Sequence, residues 1–372
     1  MQVGTYYLRS FGCQMNDHDS ERIAGLLEES GLTRCESPEE ASLLVYNTCS
    51  IREKADSRLA GHLGTAARLK KQEPARLVVV AGCLAQSRRE GLLDDFPFVD
   101  VMVGPQSLHE LPALLQRRQE EGAPVGAFQE ETSEWSAGLP RARQAGPCAL
   151  VQINAGCSNF CSYCIVPYVR GPEASRPPGE ILTECEHLVE SGVREIMFLG
   201  QNVNSYGTEP GFEGGETFAG LLQKACEITR LERIRFMTSH PKDVSEELIQ
   251  LMGRPNQLCE HLHLPVQSGS DDILRAMRRG YDRQRYLDVV RRLRGAVPDV
   301  SLTTDLIVGF PGETESDFAD TLSLVEECRF DGAFTFIYSP RRQTAAARLP
   351  GRLEPRVAQE RMEKLVDLVQ RM

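Results

Sequence analysis

The sequence predicts an α/β protein built from two successive series of strands and helices. In residues 1–119, short apolar runs alternate with amphipathic stretches, which is typical of a doubly wound parallel sheet. A stretch rich in Glu, Gln, Gly and Pro follows at 120–146, and six more strand and helix pairs occupy 147–372. Six such pairs indicate an open (β/α)6 partial TIM barrel. The chain therefore divides into an N-terminal domain, a linker and a barrel domain.

The individual elements are read from apolar runs and from hydrophobic periodicity. In the first series, strands are predicted at 5–11, 42–47, 77–81 and 99–103, and helices at 17–30 and 50–71. In the second series, strands are predicted at 148–153, 194–199, 233–237, 261–264, 301–308 and 333–338. Helices of the second series are predicted at 178–191, 218–229, 245–252, 283–296, 315–328 and 354–372. Trp135 falls in the linker and is predicted to anchor it.

The composition describes a globular protein with an acidic surface. The chain is 41% hydrophobic, and its net charge of -11 argues against broad, non-specific affinity for nucleic acid. A local basic groove is still possible, although a solvated helix face is the commoner explanation for such runs. The residues that could line a groove are Arg275, Arg278, Arg279, Arg291, Arg292 and Arg294, and Arg341 and Arg342 are expected nearer the cavity rim. The sequence contains neither a secretory signal nor an apolar run of membrane-spanning length, so we expect a cytoplasmic protein without membrane contact. In that compartment its 12 Cys are expected to be thiols or metal ligands.

A loop that follows the first predicted barrel strand carries three thiols. Cys157, Cys161 and Cys164 have CxxxCxxC spacing, and Tyr163 precedes the last of them. Thiolates bind soft metals and iron-sulfur clusters, and three ligands leave one position open for a small molecule. A structural zinc site takes four ligands, so the alternative is a zinc knuckle that a distant His completes. The aromatic residue before the last Cys favours a cluster.

Three more thiols occupy matching places in the N-terminal domain. Cys13, Cys49 and Cys83 each follow directly after a predicted strand, and their spacing is close to one strand-plus-helix period. Because the carboxyl ends of parallel strands meet at one edge of a sheet, the three thiols should converge there. The alternative is three unrelated core cysteines.

Turns with polar groups follow four of the predicted barrel strands. They lie at 200–202, 238–241, 264–270 and 308–314 and include Gln201, Ser239 and Gln267. Each turn alone could be an ordinary Gly or Pro turn, but four at corresponding points indicate a binding site. Asp305, near the end of the fifth strand, could hold a ribose hydroxyl or could be a hydrogen-bonded core group.

Two histidines alternate on the fourth predicted barrel strand. His261 and His263 face the same side, which suggests a metal site. Lining of the barrel interior near the cluster loop is the preferred interpretation.

Together these motifs resemble the methylthiotransferase family of radical S-adenosylmethionine (SAM) enzymes over essentially the whole chain. The matching segments are 11–16, 47–49, 81–83, 156–164, 264–270 and 304–313. Residues 47–55 are most similar to the tRNA branch, the MiaB-type tRNA 2-methylthio-N6-dimethylallyladenosine synthases. The resemblance has two departures. The TRAM module that usually ends the family's chains is expected to be absent, and Arg342-Gln343 stand where Pro-Gly is common.

The resemblance implies two [4Fe-4S] clusters and SAM as cofactors. Cys157, Cys161 and Cys164 would hold the catalytic cluster, which in this family cleaves SAM reductively to a 5′-deoxyadenosyl radical. That radical removes hydrogen from C2 of the target adenine. Cys13, Cys49 and Cys83 would hold an auxiliary cluster, carrying the sulfur that a second SAM methylates. By their positions in the matching motifs, the resemblance also implies cofactor-binding roles for Tyr163, Gln201, Ser239, Gln267 and Asp305.

The implied substrate is N6-isopentenyladenosine beside the anticodon of tRNA, with the base turned out of the anticodon stem-loop. A reductant such as flavodoxin or ferredoxin would supply electrons, and we expect a monomer. Two other kinds of function remain possible. One is a radical enzyme that modifies a ribosomal protein Asp or threonylcarbamoyl-adenosine in tRNA. The other is a non-catalytic metal-binding scaffold, which metal analysis would distinguish.

Overall fold

The computed structural model of the chain describes residues 4–49, 53–130, 140–143 and 146–372. Trp135, the predicted linker anchor, lies outside the described residues, as do Ser50, Ile51 and Arg52 of the segment that indicates the tRNA branch. The chain divides into two compact units. The first comprises Met1–Ala145 and Val166–Pro172, and the second comprises Gly146–Ile165 and Glu173–Met372.

The first unit is a parallel sheet with helices on both faces. Its strands are β1 (Thr5–Phe11), β2 (Thr33–Arg34), β3 (Leu43–Thr48), β4 (Leu77–Gly82), β5 (Val101–Val103) and β6 (Val125–Ala127). Its helices are α1 (Gln14–Glu29), α2 (Glu53–Gln72), α3 (Cys83–Arg88), α4 (Leu92–Asp95), α5 (Leu111–Glu121) and α6 (Val166–Arg170). Within the described ranges the strands pair in the order β2-β1-β3-β4-β5-β6, all parallel.

Alternate residues of the central strands enter two separate cores of the first unit. Val45 and Val79 pack in one hydrophobic cluster, whereas Leu44 and Val80 pack in another. Side chains of a strand point alternately to opposite faces of its sheet, so both faces of this sheet are buried. Apolar residues on both faces explain why these strands appear in the sequence as continuous apolar runs. The predicted doubly wound sheet is confirmed.

The second unit contains the predicted barrel strands. They are β7 (Cys148–Gln152), β10 (Glu195–Leu199), β11 (Arg233–Met237), β12 (His261–His263), β13 (Ser301–Val308) and β14 (Gly332–Ile337), with a short antiparallel pair, β8 (Asn154–Ala155) and β9 (Ala174–Ser175). The helices are α7 (Pro178–Glu190), α8 (Phe218–Ala225), α9 (Glu246–Met252), α10 (Asp271–Ala276), α11 (Arg283–Ala296), α12 (Glu315–Cys328) and α13 (Pro355–Gln370).

The barrel strands form two parallel three-stranded sheets, β7-β10-β11 and β12-β13-β14, in chain order. A parallel bridge between Ile234 in β11 and Leu258, just before β12, continues the order between the two sheets. Six parallel strands in sequence order, each followed by helical structure, are the predicted open (β/α)6 arrangement. That part of the fold class is also confirmed.

Capping residues account for the helix ends that the sequence predicts best. Asp282 accepts a hydrogen bond from the Arg285 amide at 2.8 Å and begins α11. Thr314 and Asp317 form a reciprocal capping box that begins α12. Such side chains satisfy amides that have no partner within the helix. Both helices have the predicted bounds.

Three features differ from the sequence-based expectations. Helix α1 begins at Gln14 rather than at 17, because Cys13 takes the capping position. Residues 125–127, inside the predicted linker, pair with β5 as strand β6. Val166–Pro172, inside the predicted barrel domain, group with the first unit. Among the described helices, none combines the length and the apolar character needed to cross a membrane.

The segment with the unusual Arg342-Gln343 pair forms a tight turn. The Thr344 amide donates to the Arg341 carbonyl at 3.2 Å, and Gln343 has a φ of 72°. A positive φ at the third position alone is that of a type II turn, which favours Pro at the second position and Gly at the third. The turn therefore has the geometry for which Pro-Gly is suited, although this chain has Arg-Gln.

Candidate functional site

The thiols of the first unit lie at the ends of three adjacent strands. In the sheet register Phe11 is opposite Thr48, and Thr48 is opposite Gly82. Cys49 follows Thr48 directly, Cys83 follows Gly82, and Cys13 is two residues beyond Phe11. The three predicted ligands are therefore brought to the carboxyl edge of one sheet, where ligands of such folds bind.

Two glycines allow this close approach. A Cβ on Gly12 would lie 2.6 Å from the Cβ of Cys49 and 2.4 Å from Oδ1 of Asn16. A Cβ on Gly82 would lie 2.4 Å from Oδ1 of Asn47 and 2.6 Å from the Thr48 carbonyl oxygen. Gly82 also has φ 92° and ψ -161°, a region that is essentially limited to glycine.

The three thiols differ in their electrostatic surroundings. Cys49 donates a hydrogen bond to Cys13 and, despite the opposing effect of burial, lowers the pKa of Cys13 to about 6. Burial raises the pKa of Cys83, although Arg170 donates to its sulfur and opposes that rise. Arg170 is itself buried and pairs with Asp19 at 2.7 Å. The site thus combines thiols with a nearby fixed cation, the environment that favours thiolate ligands.

A pair of buried amides holds the loop of Cys13 against β3. Asn16 donates from Nδ2 to Oδ1 of Asn47 at 3.2 Å, and Asn47 donates from its own Nδ2 to the Asn16 carbonyl at 2.8 Å. Asn47 also donates to Oγ of Ser20 at 2.9 Å. Both amides are fully buried. Because buried polar groups are stable only when paired, these bonds fix the position of Cys13 relative to Cys49.

The cluster loop of the second unit is held by the C-terminal end of α10. Ser162 donates from its amide to the Met277 carbonyl at 2.9 Å and from its hydroxyl to the Ala276 carbonyl at 2.8 Å. Within the loop, the Cys164 amide donates to the Cys161 carbonyl at 2.9 Å. Cys161 is buried, and burial raises the pKa of Cys157 to about 11.

Tyr163 and Cys161 share a buried partner. Arg279 lies with Nη1 at 3.3 Å from the Cys161 sulfur and at 3.3 Å from the Tyr163 hydroxyl. Arg279 is only 5% exposed, so the expectation that it could line a basic surface groove is wrong for this residue. Tyr163, which is predicted to contact the cofactor, has its hydroxyl against this guanidinium.

Buried polar atoms without partners lie where the β10 and β11 strands end. Among the described residues, Oε1 of Gln201, Oγ of Ser239 and Nε2 of His240 are buried and make no hydrogen bond. Hydrogen bonds also join the two turns: the Val203 amide donates to the Thr238 carbonyl at 2.9 Å, and the His240 amide donates to Asn204 at 3.1 Å. Native proteins rarely leave such atoms unpaired, so this edge is suited to a polar ligand.

His240 is neutral at this edge. Burial, together with the charges of Arg279 and Lys242, lowers its pKa to about 2. Its Nδ1 accepts from the Lys242 amide at 3.3 Å. The ring proton is therefore on Nε2, which can donate to a ligand.

The structure also brings Gln267 and Asp305 together. The Gln267 amide donates to the Asp305 carbonyl at 2.9 Å, and its carbonyl accepts from Ile307 at 2.9 Å. Gln267 has a φ of 75°, a strained value for a residue with a side chain. Strain of this kind collects at ligand sites, and these bonds hold it in place.

The two histidines of β12 are engaged with neighbouring side chains. His261 and His263 each place a ring nitrogen on the Thr303 hydroxyl, at 3.2 and 3.0 Å. The other ring nitrogen of His263 lies 3.5 Å from Oδ1 of Asp305. Over the described ranges, no three His, Cys, Asp or Glu side chains are close enough to hold a single metal ion.

Profiles of two protein families match the chain, one in each unit. The Radical SAM superfamily matches residues 151–325, which include the CxxxCxxC loop. Uncharacterized protein family UPF0004 matches residues 5–104, which include the other three thiols.

The chain is 48% identical over 372 residues to the tRNA-2-methylthio-N(6)-dimethylallyladenosine synthase of Parafrankia sp. (strain EAN1pec), covering 100% of this chain and 75% of that protein. The chain belongs to this synthase family. The family member of Caldicellulosiruptor saccharolyticus is also 48% identical, over 368 residues that cover 98% of this chain and 78% of the relative. The family resemblance predicted from the sequence is thus confirmed.

A solved structure supports the fold of this family member. The radical S-adenosylmethionine methyltransferase TsrM from Kitasatospora setae, determined with cobalamin and a [4Fe-4S] cluster bound, superimposes with a TM-score of 0.67. The alignment covers 93% of this chain and 77% of that chain at 14% identity, so the likeness concerns the fold.

Sequence reasoning missed the two buried arginines and the buried amides beside the thiols. Arg279 stands in a run of basic residues, which usually indicates a solvated surface. Asn16 and Asn47 belong to the matching motifs, but nothing in the sequence shows that they bond to each other. Their positions three residues after Cys13 and two before Cys49 are the available signal.

Proposed function

We propose that this chain methylthiolates C2 of N6-isopentenyladenosine next to the anticodon in tRNA, using two SAM molecules and two [4Fe-4S] clusters. The observation that carries the proposal is the pair of Cys triplets, one in each unit, at the ends of parallel strands. The relatives named as synthases for this modification support the same conclusion.

The donor sets fit two iron-sulfur clusters. Cys13, Cys49 and Cys83 would hold one cluster, and the loop with Cys157, Cys161 and Cys164 would hold the other. Thiolates are the usual ligands of such clusters, and three leave one iron open. When bound, the clusters and SAM supply one-electron chemistry together with the sulfur and the methyl group that the modification requires.

The residues around the second triplet can bind and orient a polar cofactor. The unpaired atoms of Gln201, Ser239 and His240 would meet its polar groups, and neutral His240 would donate from Nε2. Asp305 offers a carboxylate for a hydroxyl pair, with His263 at 3.5 Å to orient it. Tyr163 would border the same site. Because Ser239 and His240 are buried, they would help to exclude water from the bound cofactor.

Further parts of the proposal follow from this reaction. The RNA partner would be the anticodon stem-loop of tRNA, and the methylthiolation would take place in the cytoplasm. A flavodoxin or ferredoxin would supply electrons, and the chain would act as a monomer.

Mass spectrometry of tRNA nucleosides tests the substrate. A strain that lacks the gene should accumulate N6-isopentenyladenosine and lose its 2-methylthio derivative, and the plasmid-borne gene should restore it. Unchanged nucleosides in the deletion strain would refute the tRNA substrate and direct attention to a ribosomal protein or another tRNA base.

Single Cys variants test the two triplets. After anaerobic reconstitution, Cys157→Ala should lose about half of the iron and all SAM cleavage. Cys49→Ala should also lose about half of the iron, yet still form 5′-deoxyadenosine without methylthiolated product. Cys226→Ala, outside both triplets, is the matched control and should keep its iron. Full iron content in either triplet variant, or a chain that binds only zinc, contradicts the proposal.

A further inference from the structure

A buried arginine contacts each Cys triplet, but the two arginines differ in their charge balance. Among the described residues, the hydrogen-bond partners of Arg279 are neutral groups and one thiol. Its Nη1 contacts Cys161 and Tyr163, its Nη2 donates to the Pro265 carbonyl at 2.9 Å, and its Nε donates to the Tyr281 hydroxyl at 3.0 Å. The guanidinium also lies over the Tyr281 ring at 5.3 Å.

None of the ion pairs among the described residues includes Arg279. Asp243 is close enough for its carboxyl to be influenced by the Arg279 charge, but the two do not form an ion pair. Burial of a cation is unfavourable unless an anion accompanies it, and neutral hydrogen-bond acceptors only partly replace water. The site of Arg279 is therefore electrostatically incomplete in the chain alone.

Arg170 is the contrasting case in the first unit. It contacts the Cys83 thiol and is equally buried, but it pairs with the buried carboxylate of Asp19 at 2.7 Å. The pair is neutral as a whole. Arg170 can therefore orient its thiol by hydrogen bonding while contributing much less net charge.

We propose that the uncompensated charge of Arg279 makes the cluster on Cys157, Cys161 and Cys164 more readily reduced than the cluster on Cys13, Cys49 and Cys83. This inference rests on the proposed function. A cluster with three thiolates is an anion, and accepting one electron from a low-potential donor makes it more negative. A fixed cation on a ligand sulfur stabilises the reduced state more than the oxidised state. The Arg170 and Asp19 pair has a weaker effect because its charges largely cancel.

Redox titration of single-cluster proteins tests this assignment. In a Cys49→Ala background only the second cluster should form, and its reduced fraction is followed by electron paramagnetic resonance. Arg279→Gln should lower the ratio of reduced to oxidised cluster at the parent's midpoint potential at least tenfold, a shift of about 59 mV for one electron. Arg279→Lys keeps the charge and should restore most of the shift. Arg278→Gln removes the neighbouring, exposed charge and is the matched control.

The same titration in a Cys157→Ala background examines the first cluster. Arg170→Gln should shift the midpoint potential of the first cluster strongly, because it leaves the Asp19 carboxylate unpaired. Arg170→Gln combined with Asp19→Asn removes both charges and should shift that potential only slightly. The shift should be much smaller than the one that Arg279→Gln causes in the second cluster. Equal shifts for the double variant and for Arg279→Gln overturn the assignment.

Iron content separates failure of this inference from failure of the proposed function. If Arg279→Gln binds iron normally and its potential equals that of the parent, Arg279 has no electrostatic role. If Arg279→Gln takes up no cluster while Arg279→Lys does, the charge is needed to hold the cluster rather than to set its potential, and the inference is wrong. If neither takes up a cluster although the apo chains unfold like the parent, the role is geometric and the inference is wrong. If the triplet variants themselves keep all iron, the proposed function fails first.

Discussion

Gly82→Ala should destabilise the first unit and disturb its thiol site. The new Cβ would lie 2.4 Å from Oδ1 of Asn47 and 2.6 Å from the Thr48 carbonyl oxygen. The second atom belongs to the backbone of β3 and cannot rotate away. Backbone strain at φ 92° adds about 1–3 kcal/mol, and forced overpacking adds a further 1–3 kcal/mol or so. We therefore expect a loss of about 2–6 kcal/mol in the free energy of unfolding.

Gly31→Ala is the matched control for this prediction. Gly31 has a φ of 86°, but a Cβ there would meet nothing within 4 Å. Gly31→Ala should lower the free energy of unfolding only by the cost of backbone strain, about 1–2 kcal/mol. Urea unfolding of both apo variants, followed by circular dichroism, gives the comparison, and iron analysis after reconstitution should show a deficit in Gly82→Ala alone. If the two variants are equally destabilised, the steric argument for Gly82 is wrong.

Three further predictions concern other parts of the chain. Gln343→Gly should raise the free energy of unfolding by about 0.5–1 kcal/mol, since glycine relieves the positive φ of the turn, and a lower melting temperature would contradict this. Burial raises the pKa of Glu173 from 4.5 to about 7, so the stability this carboxyl contributes is complete below pH 4.5 and is lost as the pH rises through 7. The free energy of unfolding of the parent, compared with that of Glu173→Gln, should thus fall by up to about 3 kcal/mol between pH 4.5 and pH 7. If the two proteins have parallel curves of stability against pH, the assignment is refuted. Asn47→Ala should lower the free energy of unfolding by about 2–4 kcal/mol, because it leaves Asn16 and Ser20 without their buried partner. Ser37→Ala, at a half-buried position whose hydrogen bonds are solvent-exposed, should change the unfolding midpoint little.

The strands and most helices were predictable because their signals are local. Apolar runs predicted both ends of β1, β11 and β13 as the structure has them. Capping side chains indicated where α11 and α12 begin. Strand β6 was missed because three residues with a central glycine carry no usable periodicity. It forms only because the edge of an existing sheet accepts it. Such an edge is a property of the assembled unit rather than of the segment.

The thiols of the candidate site were predictable, but their surroundings were not. The position of a Cys after each strand follows from topology alone. Whether an arginine is buried depends on which chain segments close over it, and Arg279 is enclosed by residues more than 100 positions away, such as Cys161. The unpaired atoms of Ser239 and His240 likewise depend on the packing of two turns.

The assignment of Val166–Pro172 to the first unit affects how the protein can be made. On the ribosome, the N-terminal sheet is synthesised long before the segment that supplies Arg170 to Asp19. Until residue 172 has emerged, Asp19 lacks that ion pair and the first unit lacks helix α6. A gene divided at the linker would therefore encode an N-terminal fragment without a complete unit. The two units cannot be exchanged between proteins by a single crossover, and a chimera needs three junctions.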